Sequence, residues 1–212
     1  MVISAMSFGV VLIDYQERFC DPGGWNDRTA RLSQKFTIAA RGEGQDVVEF
    51  HFRGDGASWP LRDVPPAENE IYYKCQNGFF AKGEEETRFI QDAKGRGWTH
   101  IAYGGCNIEY CVEDTLDGST ALKDFKTAVF VDLISALPHH RINQSKLRTT
   151  FKRWQGWGVT LLHSDSYLRY QGLPDLVYGE ALSAKDAAKI TLQNKRGRKS
   201  AINSIFPLHF MG

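Results

Sequence analysis

The chain has 212 residues, with 26 Lys and Arg against 25 Asp and Glu for a formal net charge of +1. Its 42% hydrophobic and 24% charged residues supply a full core and exclude a globally disordered chain, while the even charge excludes a whole-chain field of the kind that attracts nucleic acid or an anionic membrane. Apolar runs such as Phe8 to Ile13 fall far short of the roughly 20 residues of a membrane span, so a soluble, cytoplasmic protein with neither partner is the expectation.

Phe8 to Asp14 is a nearly continuous apolar run that ends in an acid, the pattern of a strand buried on both faces of a parallel sheet. Residues 26 to 41 predict a helix through Ala30, Phe36, Ile38 and Ala39, with Asn26 or Asp27 as N-cap. Gly42 and Gly44 end it, and Asp46 to Phe52 is a second strand. Arg53 to Glu70, with Gly54, Gly56, Pro60, Pro65 and Pro66, reads as a long irregular connection, and such loops are usually functional. Ile71 to Lys74 predicts a short strand, Glu84 to Lys94 a helix opened by three acids, and Trp98 to Tyr103 a strand stopped by Gly104 and Gly105. A helix follows from Ile108 to Lys123, then a strand from Thr127 to Leu133, a helix from Arg141 to Trp154 and a last strand from Gly158 to His163. This alternation predicts a three-layer α/β/α sandwich around a mostly parallel six-stranded sheet, spanning residues 1–168 as one domain. The remainder, 169–212, changes character. Lys185 to Lys199 holds six basic residues and one acid, a local charge of +5, and is expected to pack as a solvated extension at the rim or to meet a polyanion or partner.

Three reactive side chains fall at or just beyond carboxyl ends of predicted strands, where open α/β sheets gather their ligands. Asp14 closes the first strand, Lys74 closes the third, and Cys111 follows the turn after the fourth. A carboxylate, an ammonium and a thiol are what covalent acyl transfer requires: a base, a cation to hold the charges together and a nucleophile. At the start of a helix and near Lys74, the thiol pKa is expected to fall from about 8.5 into the range of roughly 3.5 to 7.5 seen for activated cysteines. The other cysteines, Cys20, Cys75 and Cys106, complete neither a disulfide scaffold nor a zinc site. Gly95-Arg-Gly97 lacks the strand and helix context of a dinucleotide loop, and His163-Ser164-Asp165 is no triad, because sequence neighbours do not converge in space.

Val11-Leu-Ile-Asp14-Tyr-Gln16-Glu-Arg-Phe19, Lys74 ahead of Asn77-Gly78-Phe79-Phe80, and Gly105-Cys-Asn-Ile-Glu-Tyr-Cys111-Val112-Glu-Asp-Thr115 together resemble the motifs of the isochorismatase-like cysteine hydrolases. These include nicotinamidases, N-carbamoylsarcosine amidases, and ureidoacrylate and biuret hydrolases. Order and spacing agree from about residue 7 to 165. The resemblance implies the strand order 3-2-1-4-5-6. It implies that Asp14 is the general base, that Lys74 stabilises the charged dyad, and that Cys111 attacks a carbonyl carbon to form a thioester that water then releases. It further implies a cis peptide between Cys106 and Asn107, with the N–H groups of Asn107 and Cys111 as the oxyanion hole, each such donor being worth about 3 kcal/mol elsewhere. Candidate substrate contacts are Gln16, Phe19, Arg53, Trp59, Phe79 and Tyr110, the aromatic ones walling a planar compound and Arg53 pairing with a carboxylate. Relatives that are nicotinamidases bind a metal through an Asp and several His, whereas His51 to Trp59 here offers one of each; neither metal nor other cofactor is expected. Ile108 stands where the family commonly has Thr. The implied activity is hydrolysis of a C–N bond in a small amide, carbamoyl or ureido compound by a homodimer or homotetramer. The rivals are an isochorismatase-type vinyl-ether hydrolase, which needs no thiol, and a catalytically silent binding module.

Overall fold

A computed structural model describes residues 7–56, 66–165 and 181–196. Six strands form one parallel sheet: β1 (Ser7–Ile13), β2 (Asp46–Phe52), β3 (Ile71–Lys74), β4 (Trp98–Cys106), β5 (Lys126–Ser135) and β6 (Thr160–Leu162), in the order 3-2-1-4-5-6 that the motifs imply. The connecting helices are α1 (Trp25–Gly42), α2 (Glu84–Gly95), α3 (Glu113–Thr120) and α4 (Gln144–Gly156), and α5 (Ala184–Lys195) follows β6. Alternation of side chains along the strands feeds two apolar clusters. Val10 and Leu12 of β1 meet Ala30, Phe36 and Ala40 of α1 in one. Val11 and Ile13 join Val48 and Phe50 of β2, Phe89 of α2, Leu116 of α3 and Phe151 and Trp154 of α4 in the other. No helix among the described residues is long and apolar enough to cross a membrane.

Several boundaries differ from the sequence reading, among them the start of α4, at Gln144 rather than Arg141, and those of β4, α3 and α1. β4 runs through the two glycines expected to stop it, because they pair with Leu12 and Ile13 of β1 at very close range. Gly105 sits at φ +137°, and a Cβ there would lie 2.3 Å from the Ile13 carbonyl oxygen, so only glycine fits. The helix expected from Ile108 to Lys123 begins instead as a π turn, Ile108–Val112, in which the Val112 N–H donates to the Asn107 carbonyl at 3.1 Å. Gly24 takes the N-cap position of α1. Asn26 donates to the Phe19 carbonyl at 2.7 Å, and the Asp27 carboxylate accepts from the Gly23 N–H at 2.9 Å.

Helix α5 packs into the molecule through hydrogen bonds as well as apolar contacts. Pairing between β4 and β5 slips from Tyr103↔Val129 to Gly105↔Ile134, so five residues of β5 advance against two of β4. The carbonyls of Val131 and Asp132, inside this irregular stretch, are taken by side chains of α5: Thr191 Oγ1 donates to Val131 at 2.6 Å and Asn194 Nδ2 to Asp132 at 2.6 Å. Ala184, Ala187 and Ala188 bury the same helix against the main cluster. Replacing Asn194 by Leu leaves a buried carbonyl without its donor, a loss of about 1–3 kcal/mol. Thermal denaturation should show the corresponding fall in Tm, and an unchanged Tm would mean that α5 does not cap this stretch.

Candidate active site

The chain leaves β1 through a left-handed turn. Asp14 adopts φ +55°, a conformation that Asp tolerates better than most residues, and its N–H donates to the Phe50 carbonyl at 3.0 Å. The next two side chains anchor this exit, Tyr15 by donating to the Leu133 carbonyl at 2.8 Å and Gln16 by bridging to β2. One strand beyond β2, Lys74 ends β3, and its register partner is Phe52. The Lys74 ammonium lies 2.7 Å from Asp14 Oδ2, donates to the carbonyls of Asn77 at 2.9 Å and Gln76 at 3.3 Å, and rests 3.6 Å over the Phe52 ring. Both Asp14 oxygens are buried, so the ion pair with Lys74 is held out of solvent.

Cys111 enters from the π turn after β4. The peptide joining Cys106 to Asn107 is cis. The Cys111 thiol lies within hydrogen-bonding reach of Asp14, the Asn107 N–H faces its sulfur, and Asn77 Oδ1 is 3.9 Å away. The three side chains, far apart in sequence, thus meet at one edge of the sheet. Removing water from this group sets its protonation. Burial raises the Asp14 pKa to about 6 despite the opposing pull of Lys74 and the hydrogen bond of Cys111. Burial pushes the Cys111 thiol up to about 12, Asp14's charge adds to the rise, and Lys74 and the Asn107 N–H pull the other way. The depressed thiol pKa expected from the helix start and the lysine is therefore overturned: Cys111, only 3% exposed, holds its proton at rest, because desolvation of the thiolate and the adjacent carboxylate outweigh one ammonium.

No protein-family model matches the chain, and no curated protein matches it. Its architecture is nevertheless shared with solved structures. An isochorismatase-like hydrolase from Alkaliphilus metalliredigens superposes with TM-score 0.60 at 16% identity, over 77% of this chain and 98% of that one. An N-carbamoylsarcosine amidase from Thermoplasma acidophilum gives 0.59 at 17% identity, over 76% of this chain and 98% of that one. The chain has the isochorismatase-like fold. The MAR1 ribonuclease from Caenorhabditis elegans shares this architecture as well, with TM-score 0.60 and 18% identity over 90% of this chain and 92% of that one.

On this isochorismatase-like frame, the six expected substrate contacts fare differently. Gln16 is a brace: its Nε2 donates to the carbonyls of Phe52 and Gly56, each at 3.0 Å, and its Oε1 accepts from the Phe52 N–H at 2.7 Å, which commits the amide to backbone. Phe19 packs on the Phe52 ring, centroids 5.9 Å apart, and so supports the ring beneath Lys74. Phe79 is core, stacked 3.7 Å from Phe50, which leaves no face for a substrate. The Arg53 guanidinium, 73% exposed, stacks on Tyr73 and lies 4.0 Å from Glu85, so its charge is already opposed by an acid. Tyr110 remains at the surface, 48% exposed, beside His140. Trp59 lies outside the described residues.

One residue that sequence reasoning did not propose for the site takes part. Asn77 touches both Lys74 and Cys111, and the only signal for it was its place between the lysine and Phe79. Glu49 and His51, both buried, hold each other at 2.5 Å on β2. Since those two are committed to one another and no group of three potential metal ligands lies together among the described residues, the residues present do not fit the Asp and multiple-His metal set of nicotinamidases. Ile108 is fully buried in the main apolar cluster. At pH 7, iodoacetamide should label exposed Cys75 before Cys111, with the Cys111 rate climbing steadily into the alkaline range. Fast, selective labelling of Cys111 at neutral pH would show an ionised thiol instead.

Proposed function

We propose that the chain is a metal-independent cysteine hydrolase that opens a C–N bond of a small amide, carbamoyl or ureido compound through a thioester acyl-enzyme. The observation that carries this reading is the buried meeting of Asp14, Lys74 and Cys111, with Asp14 and Lys74 2.7 Å apart. Such an ion pair is poor value for stability, because well-packed apolar replacements are often neutral or better by about 1–4 kcal/mol. Its placement beside a thiol at the carboxyl edge of a parallel sheet favours chemistry. The amidase of the same fold supports the C–N class, and the ribonuclease of that fold is a reminder that architecture alone does not choose a reaction.

The resting protonation dictates the order of events. With the thiol neutral and Asp14 ionised above about pH 6, proton transfer accompanies attack. Asp14 takes the thiol proton as sulfur bonds to the carbonyl carbon, and Lys74 holds the altered charges in place. The N–H groups of Asn107 and Cys111 face the developing oxyanion. Asp14 then protonates the departing nitrogen, the C–N bond breaks, and the thioester remains. A water molecule, deprotonated by Asp14, attacks the thioester carbon and frees the acid and the thiol. The vinyl-ether rival leaves Cys111 without a task, and the silent-module rival leaves the buried pair without one.

In a panel of small amides, carbamoyl compounds and ureides read by ammonia release, Cys111→Ala should lower turnover by at least about 10³-fold. Undiminished turnover would remove the covalent mechanism. For an active compound, kcat/KM should rise tenfold per pH unit below about 6 and level off above it, because Asp14 must be ionised to accept the proton. Lys74 lowers the Asp14 pKa, so Lys74→Met, in protein with an unchanged circular dichroism spectrum, should move this limb to higher pH. A limb that stays in place would separate Asp14 from the rate-determining proton transfer.

A further inference from the structure

Helix α4 has four basic residues, Lys146, Arg148, Lys152 and Arg153, and no acid. They divide between two flanks. Lys146 and Arg153 are neutralised by acids near the candidate site, Lys146 by Glu109 at 2.7 Å and Arg153 by Glu113. Arg148 and Lys152 have no ion pair among the described residues. They share a stripe with Gln144 and Gln155, at successive spacings of four, four and three residues.

Both ends of that stripe meet α5. Gln155 Nε2 donates to the Leu182 carbonyl just before α5 at 3.2 Å, and Gln144 lines a cleft of about 350 Å³ with Ile142, Asn143, Leu192, Lys195 and Arg196. The two helices therefore run antiparallel, and the stripe holding Arg148 and Lys152 borders the groove between them. On α5 and the residue after it, Lys185, Lys189, Leu192 and Arg196 fall at spacings of four, three and four, again one stripe. Its Leu192 and Arg196 line the same cleft. Asp186 is turned to its own N-cap, where it accepts from Ser183 Oγ at 2.6 Å. Lys185, Lys189 and Arg196 likewise have no ion pair among the described residues.

Five exposed cations thus border one groove with no acid interleaved, whereas many of the other basic side chains among the described residues are paired, as in Arg18 with Asp55, Arg41 with Glu70, Lys94 with Asp124 and Arg96 with Asp46. From Lys185 to Arg196 the row extends about 16 Å along the helix axis, too long for one small anion and suited to a repeating one. Among the described residues, the large exposed apolar side chains, Ile38 and Tyr110, lie on neither helix, so the face lacks what an interfacial helix inserts into a bilayer. Glutamines beside the cations add amide donors for phosphate and sugar oxygens.

We propose that the α4–α5 groove binds the phosphodiester backbone of a single-stranded nucleic acid, independently of base sequence and apart from the Asp14–Lys74–Cys111 site. The near-zero net charge argued against such a partner, but charge summed over the chain conceals its segregation onto one face.

Fluorescence anisotropy of a fluorescein-labelled 20-nucleotide oligouridine with the full-length protein tests this. Binding should weaken with salt at a log–log slope of roughly −3 to −4, the value for about five phosphate contacts to a single strand. Changing Arg148, Lys152, Lys185, Lys189 and Arg196 together to Gln should reduce affinity at least tenfold and flatten the slope. Changing Lys82 and Lys123, which lie off both helices and have no ion pair among the described residues, to Gln should alter neither. Absence of oligouridine binding at 50 mM salt, equal binding by the five-residue variant with an unchanged Tm, or capture by phosphatidylserine vesicles in place of the oligonucleotide would each overturn the proposal.

Discussion

One buried charge contact organises the edge of the sheet. Asp14 and Lys74 sit on strands separated by β2, and they reach each other across it because β1 ends in a left-handed turn and Lys74 lies over the ring of Phe52. Each partner is nearly free of solvent, so neither charge is sustained without the other. Around them the chain supplies fixed dipoles: two carbonyls for the ammonium, and a backbone N–H facing the adjacent sulfur. The brace formed by Gln16 between the exits of β1 and β2 is what keeps this spacing.

Dryness makes the thiol different from a freely ionised cysteine. A helix start and a nearby lysine would favour a thiolate in a partly solvated cleft. Here the sulfur is almost fully buried and the carboxylate outweighs the ammonium, so the proton remains on sulfur while the acid beside it is the ionised member of the dyad. The proposed chemistry then depends on a proton moving as the new bond forms, and on a base whose pKa is raised toward neutrality by the same burial.

The opposite character holds along the α4–α5 groove, where five exposed cations have no ion pair among the described residues and solvent screens them. α5 connects the two regions. It completes the hydrogen bonding of the irregular part of β5 through Thr191 and Asn194, and its outward stripe doubles the positive edge of α4. A helix that sequence reading treats as an extension is therefore both a structural cap and half of a surface.

Much of the frame was legible in the order of residues. β2 and β3 have the bounds that their β-branched and aromatic runs predict, and α1 and α2 lie within a residue of theirs at either end, because local propensity and periodicity agree with the final packing there. The order of Asp14, Lys74 and Cys111 along a β/α alternation was enough to place all three at one edge, since parallel crossovers leave little choice of topology. The rest depended on contacts between distant segments. Nothing adjacent to Phe79 announces that Phe50 will cover its face, or that Tyr73 and Glu85 will engage Arg53. Gly104 and Gly105 read as a stop until β1 is seen pressed against them. Protonation of Cys111 and the merging of two cationic stripes likewise belong to the tertiary structure, because desolvation and charge pairing are set by what folds against a side chain, whereas periodicity records only which way it points.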